Sequence, residues 1–300
     1  MNKDLFLDIL DENRIKFDEP LSNHTTFRVG GPADIFVTVC DACELSKTIK
    51  ASKEAGIPYY LLGKGSNVLV GDKGFRGVII TLGGEMSDIK VTEETMNVGA
   101  GVSLADAARY AMKNSLTGLE FAGGIPGSIG GALYMNAGAY GGEMSQVVES
   151  VDALDSDGNI VRIDGKDMKF GYRHSILKEK EMTALGCVIR LQRGNEREIQ
   201  EKMQELAFKR KEKQPLEYPS AGSTFKRPEG YFAGKLIEDS GLGGYTVGGA
   251  EVSMKHKGFV INKNNATAKD IKQLIEDVQR IVLEKQGVKL EPEVIMLGEF

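Results

Sequence analysis

Cysteine and histidine are scarce in this chain: three of each (Cys40, Cys43, Cys187; His24, His174, His256) among 300 residues. So few cysteines cannot build a disulfide framework and fit a reducing compartment better. Cys40-x-x-Cys43 would need two further ligands to hold zinc, and no histidine stands at a ligand's spacing from it. No metal site is expected, and Cys40 is read as the end of a buried strand, with Cys43 packed on the first turn of the next helix. Positive charge is also short, 38 Lys and Arg against 43 Asp and Glu for a net charge of -5. That balance argues against nucleic acid or an anionic membrane as a general partner. No apolar run approaches the ~18 residues of a membrane span. The opening MNKDLFLDILDEN lacks the core and cleavage site of a signal peptide. A cytoplasmic protein without membrane insertion and without an obligate protein partner is expected.

Glycine is abundant instead: 37 of 300 residues, against a usual ~7%, with no collagen-like period. Bare backbone in that quantity permits close approach to a ligand. The chain reads as a short helix at 4–12, a strand at 35–39, a helix opened by the Asp41-x-x-Glu44 capping box, and strands at 59–62, 68–70 and 77–82. Strands follow at 89–92, 147–154, 160–163 and 187–191, interrupted by a helix at 104–113 and one long glycine-rich loop. Asn195-x-x-Glu198 caps another helix that Gln214-Pro215 stops. A turn-rich stretch and further strands precede a last helix at 270–285, capped by Thr267. The expected division is an α+β fold of three parts, 1–86, 87–195 and 196–300.

Three familiar signals fail. Gly63-Lys64-Gly65-Ser66-Asn67-Val68 has valine where a dinucleotide fingerprint has its third glycine, and it leads into a strand. Gly234-Lys235-Leu236 lacks the hydroxyl and spacing of a Walker loop. Neither Ser66, Ser128 nor Ser223 lies in G-x-S-x-G. What remains is FAGGIPGSIGGALYMNAGAYGGEM (121–144), with eight glycines between Gly123 and Gly142. Successive glycine-flanked amides can form an anion nest for a pyrophosphate. GKGSN is a second cradle, and two cradles suit a long ligand carrying two phosphates.

HTTFRVGGPAD (24–34), LGKGSNVLV (62–70), GLEFAGGIPGSIGGALYMNAGAYGGEM (118–144), YRHS (172–175), AGSTFKRP (221–228), AGKLIEDSGL (233–242), GFVINKNNATAKDI (258–271) and LEPEV (290–294) stand in the order and spacing of one family. Across nearly its whole length the chain resembles the UDP-N-acetylenolpyruvoylglucosamine reductases, in their shorter form. The resemblance implies a two-subdomain FAD-binding module of the vanillyl-alcohol-oxidase type followed by an α+β substrate-binding domain. It implies non-covalent FAD, NADPH as co-substrate, a UDP-sugar substrate and reduction of its enolpyruvyl group for peptidoglycan synthesis.

Carried over residue by residue, the resemblance makes Arg173 and Glu293 the pair that activates the substrate carboxylate and Ser223 the proton donor. It assigns the cofactor to Arg28, to Gly63, Lys64, Gly65, Ser66 and Asn67, to Gly123, Gly124, Ile125, Pro126, Gly127 and Ser128, and to Gly130, Gly131, Asn136 and Ala137. Arg210, Lys213 and Arg227 are expected on the diphosphate, whereas Lys209 and Lys211 belong to a solvated helix face. Hydride addition beside a carboxylate builds negative charge, so a cation and an acid must be waiting there. The alternative enzyme is a sugar or hydroxy-acid oxidase on the same module, which often tethers flavin to histidine; neither glycine loop contains one. An inactive flavin or nucleotide binder would be expected to lose one of Arg173, Ser223 and Glu293, and all three are present.

Overall fold

The computed structural model describes residues 3–300, with side chains from Leu5 onward. The chain forms two units: 1–16, 36–64 and 79–210 make the first, and 17–35, 65–78 and 211–300 the second. The strands Pro32–Val39 and Phe75–Leu82 each begin in the second unit and end in the first.

The first unit is built on a five-stranded antiparallel sheet in the order Ile160–Asp164, Val148–Leu154, Thr183–Arg190, Thr95–Gly99, Ile89–Thr92. Its core includes Met96, Val98, Leu104, Leu133, Val151 and Ile189, all essentially buried. The helix Leu104–Lys113 buries Leu104, Ala107, Ala108 and Ala111, the three-and-four spacing of one helical face. The helix Ala42–Glu54 starts where Asp41 accepts the Glu44 N–H at 2.8 Å. The Glu44 carboxylate reaches back to the Cys40 N–H rather than to the cap residue, and it also takes two bonds from Arg14. That guanidinium holds the Glu44 carboxyl below the usual carboxylate range.

The second unit packs the helix Ala268–Gln286 against a three-stranded sheet, Thr246–Val247, Ala250–Val252 and Val260–Asn262. Ile271, Leu274, Ile275, Val278 and Val282 form its buried stripe, as the spacing predicts. Thr267 and Asp270 close a reciprocal capping box, and Gly287 ends the helix in the left-handed region. Val68–Val70 pairs in parallel with Ile295–Leu297, so the chain's last strand lies beside the strand that follows GKGSN.

Four local expectations are corrected. Residues 4–12 are not one helix: Lys3–Phe6 and Glu12–Arg14 are separate 3-10 turns, since the Phe6 carbonyl takes both the Ile9 and Leu10 N–H groups and the next turn starts afresh with Arg14 donating to Asp11. The strand Ile15–Pro20 follows them. The long glycine loop contains a helix, Ile129–Met135, and Ala233–Asp239 is helical where the end of the turn-rich stretch and the first of the further strands were expected. Phe232 at its N-cap makes no side-chain cap bond, so the sequence carries no start signal. Cys43 is exposed instead of packed, whereas Cys187 is buried, which pushes its thiol up to about 12.

Candidate functional site

The GKGSN loop joins Tyr59–Leu61 to Val68–Val70. None of the five amide N–H groups from Gly63 to Asn67 donates to an acceptor among the described residues. Such a run is stable only where water or an anion takes the donors. Gly65 lies at φ 59, and a Cβ there would stand 2.0 Å from the His24 carbonyl oxygen. Only glycine serves at that point. The Gly65 carbonyl accepts the Thr26 N–H at 3.1 Å, which seats the turn carrying Arg28. Arg28 is itself left-handed, at φ 56, and exposed between buried Phe27 and Val29. Lys64 is exposed and Ser66 half-buried in the loop. The Asn67 side chain also ties the loop to the segment 290–294: its Nδ2 donates to the Glu293 carbonyl at 3.1 Å.

The glycine-rich segment is built differently. Ile125 and Gly127 donate to Ala122 and Ile125, Ile129 to Val102, and Gly130 to Ala100, the last two at 2.8 Å. Ser128 caps the helix Ile129–Met135 by accepting the Gly131 N–H. A Cβ on Gly130 would come within 3.1 Å of the Ala100 Cβ, so that glycine lets the helix lie against residues 100–102. Gly123 and Gly124 give way to Met203 and Arg210 in the same manner. Gly63 meets this segment at Ser128, whose Oγ would stand 2.6 Å from an added Cβ. Gly131 is the exception, being exposed with only Ser128 Oγ nearby, at 3.5 Å. Ala137 donates to Ala132, while buried Asn136 holds the Ser145 N–H and donates to the Gly171 carbonyl.

These features fit the pyrophosphate and backbone contacts of a flavin nucleotide. Unpartnered amides stand at GKGSN, and a bare, exposed glycine stands at 131 where no protein contact requires one.

Arg173 sits in the tight turn Gly171–His174, closed by reciprocal backbone bonds of 3.1 and 3.2 Å. Its φ of 54 is left-handed, a conformation costing a non-glycine residue roughly 1–2 kcal/mol, and such strain gathers at functional sites. Its guanidinium lies 5.2 Å from the centre of the Tyr172 ring. Buried Ser175 anchors the turn by donating to the Tyr134 carbonyl at 2.9 Å. In the second unit, Ser223 and Glu293 lie on adjacent paired segments. The Glu293 N–H donates to the Thr224 carbonyl at 2.8 Å, and the Lys226 N–H donates to the Glu291 carbonyl. Ser223 and Glu293, seventy residues apart in sequence, are thereby neighbours.

The three proposed phosphate cations differ. Arg210, half-buried in the first unit, lies over Gly124 and has no carboxylate partner among the described residues. Burial holds its guanidinium below the ordinary arginine value, partly opposed by Tyr140. The structure thus places Arg210 on the glycine-rich loop. Lys213 is exposed in the second unit without an ion pair among the described residues. Arg227 lies 4.1 Å from the centre of the Phe232 ring. Lys209 pairs with Glu205 on an exposed face, as expected. Sequence reasoning passed over Asn136 as a side-chain clamp, Ser175 and Thr224. Each is a buried polar residue, and burial was invisible in a stretch read as loop.

The family models match in two places. Residues 33–164 match the FAD binding domain, and residues 214–297 match the UDP-N-acetylenolpyruvoylglucosamine reductase C-terminal domain. Among the described residues, no helix is long and apolar enough to cross a membrane. The UDP-N-acetylenolpyruvoylglucosamine reductase of Caldanaerobacter subterraneus subsp. tengcongensis is 51% identical over 99% of this chain and 98% of its own. That of Clostridioides difficile is 49% identical over 99% of both chains. The crystal structure of the Thermus caldophilus reductase matches at a TM-score of 0.81 and 36% identity, covering 95% of this chain and 99% of that one. With an FAD-binding module, the reductase C-terminal module and full-length identity near one half, this chain belongs to the UDP-N-acetylenolpyruvoylglucosamine reductase family.

Proposed function

We propose that this chain is an FAD-dependent, NADPH-oxidising enzyme that reduces the enolpyruvyl group of UDP-N-acetylenolpyruvoylglucosamine to UDP-N-acetylmuramate in peptidoglycan precursor synthesis. The observation that carries the reading is one chain joining the two matched modules, with Ser223 and Glu293 neighbours in the second. NADPH is a cytoplasmic reductant, which supports a cytoplasmic location. The domain proposal is a cofactor half, 1–86 and 87–195, followed by a substrate domain, 196–300. Its support is the placing of the two family matches at 33–164 and 214–297.

In this reading the amides of Gly63–Asn67 would take the cofactor's phosphate oxygens, and Gly131 would leave room for its approach. Bound without a covalent link, FAD supplies the hydride it receives from NADPH. Arg173 and Glu293 engage the substrate carboxylate and stabilise the negative charge that develops beside it. The Ser223 hydroxyl gives its proton to the carbon next to that carboxylate. Lys213 and Arg227 hold the nucleotide diphosphate, and Arg210 lends an unpaired cation at the glycine-rich loop.

The test is whether the yellow protein oxidises NADPH only when the enolpyruvyl nucleotide is added. Ser223→Ala sharpens it. In stopped flow, flavin bleaching by NADPH should stay near the wild-type rate, while reoxidation by the nucleotide slows ~10²–10⁴-fold, the usual contribution of a positioned acid. Normal reoxidation would remove Ser223 from the mechanism. Substrate-independent NADPH oxidation by the wild type would remove the reading itself.

A further inference from the structure

Thr224 is fully buried, and its N–H, hydroxyl and carbonyl bond to two other segments. Its N–H donates to the Gly258 carbonyl at 2.8 Å, and its Oγ1 accepts the Val260 N–H at 3.0 Å. Its carbonyl accepts the Glu293 N–H at 2.8 Å. The segment carrying Ser223 is therefore pinned to the strand Val260–Asn262 on one side and to the Glu293 segment on the other. The same strand is fixed further along, where Asn262 donates to the Pro219 carbonyl at 2.9 Å and Ser220 bridges Ile261. Asn67 completes the hold on Glu293: its Nδ2 donates to the Glu293 carbonyl at 3.1 Å, and its own carbonyl accepts the Ile295 N–H at 3.0 Å. Gly222, at φ 75, leaves the chain before Ser223 without a bulky neighbour, so the precision of the serine's placement falls on Thr224.

We propose that Thr224 is a positioning residue: through the bond its hydroxyl takes from Val260 and the one its carbonyl takes from Glu293, it sets Ser223 and Glu293 at the mutual geometry that proton delivery requires. The inference rests on the reductase reading above and adds to it a residue that touches neither substrate nor cofactor. Valine has the shape of threonine but cannot accept the Val260 N–H, which would be left buried without a partner. The cheapest relief is a shift of the 221–226 segment, and a displacement of about 1 Å costs on the order of a hundredfold in a positioned reaction.

Thr224→Val, Thr224→Ser and wild type would be compared in the flavin-loaded full chain by stopped flow, with rates normalised to bound flavin. Reduction by NADPH should be unchanged in all three. Reoxidation by the enolpyruvyl nucleotide should slow ten- to a hundredfold in the valine variant, with a larger solvent deuterium isotope effect as proton delivery becomes limiting. The serine variant, which keeps the acceptor, should return to within about threefold of wild type. Should the valine variant not fold, Thr224→Cys, a weak acceptor of similar size, should fall between serine and wild-type behaviour on one side and loss of reoxidation on the other. Equal slowing of both half-reactions, normal reoxidation in the valine variant, or a serine variant as slow as valine would each overturn the proposal. A wild-type protein inert towards the nucleotide would overturn the reductase reading instead.

Discussion

The two glycine loops look alike in sequence and are opposites in construction. In Gly63–Asn67 the glycines shape a short bend whose five amides find no acceptor among the described residues, so the donors are available. In 121–144 most of the amides followed above are bonded within the first unit, and several glycines exist because a neighbour occupies the place of a side chain. High glycine content therefore has two separate physical meanings, exposure of donors and closeness of packing. Only the hydrogen-bond accounting tells them apart.

Substitutions to alanine break or sharpen this contrast. The largest effect is expected at Gly65, where left-handed φ and a 2.0 Å approach to the His24 carbonyl leave no room for adjustment. Gly65→Ala should cost more than about 4 kcal/mol, seen as a collapse of soluble, flavin-bound protein. A stable yellow variant would show that the loop tolerates another path. Gly130→Ala comes next. Its Cβ would crowd Ala100 at 3.1 Å, so the helix Ile129–Met135 must shift at about 1–3 kcal/mol, read as a fall in Tm with flavin affinity reduced in step. Gly131→Ala is the smallest and has the opposite sign. Nothing but Ser128 Oγ at 3.5 Å opposes the methyl, and alanine favours a helix by up to about 1 kcal/mol, so Tm should hold or rise while flavin affinity falls. Unchanged affinity with a raised Tm would place the cofactor away from residue 131 and leave GKGSN as the sole cradle.

Legibility in the sequence followed the range of the interaction. Asp41, Asn195 and Thr267 were recognisable as helix caps because each bonds an amide within three residues, and all three do so here. The apolar stripe of the last helix was readable for the same reason. The helix Ile129–Met135 was hidden because its glycines argue against helix, and it is held by Ala100 and Val102 from far along the chain. The site residues could be named from motifs, yet the motifs are silent on which amides are spent and which are spare. Asn67 illustrates this: the motif that assigns it to the cofactor does not reveal that its side-chain Nδ2 also secures the Glu293 carbonyl.

The amino-acid sequence by itself determined the helices with local caps, the positions where backbone must be bare and the family to which the chain belongs. The tertiary structure alone decided that 17–35 and 65–78 cluster with the last ninety residues, where the sequence reads as consecutive pieces. It also decided that Ile295–Leu297 runs beside Val68–Val70, and that Ser223 and Glu293 meet across Thr224. The physical reason is that long-range strand pairing has no code in neighbouring residues. It is selected by burying apolar faces together, in the second unit those of Leu69, Phe225, Val260 and Val294, and by pairing every backbone group that this burial removes from water.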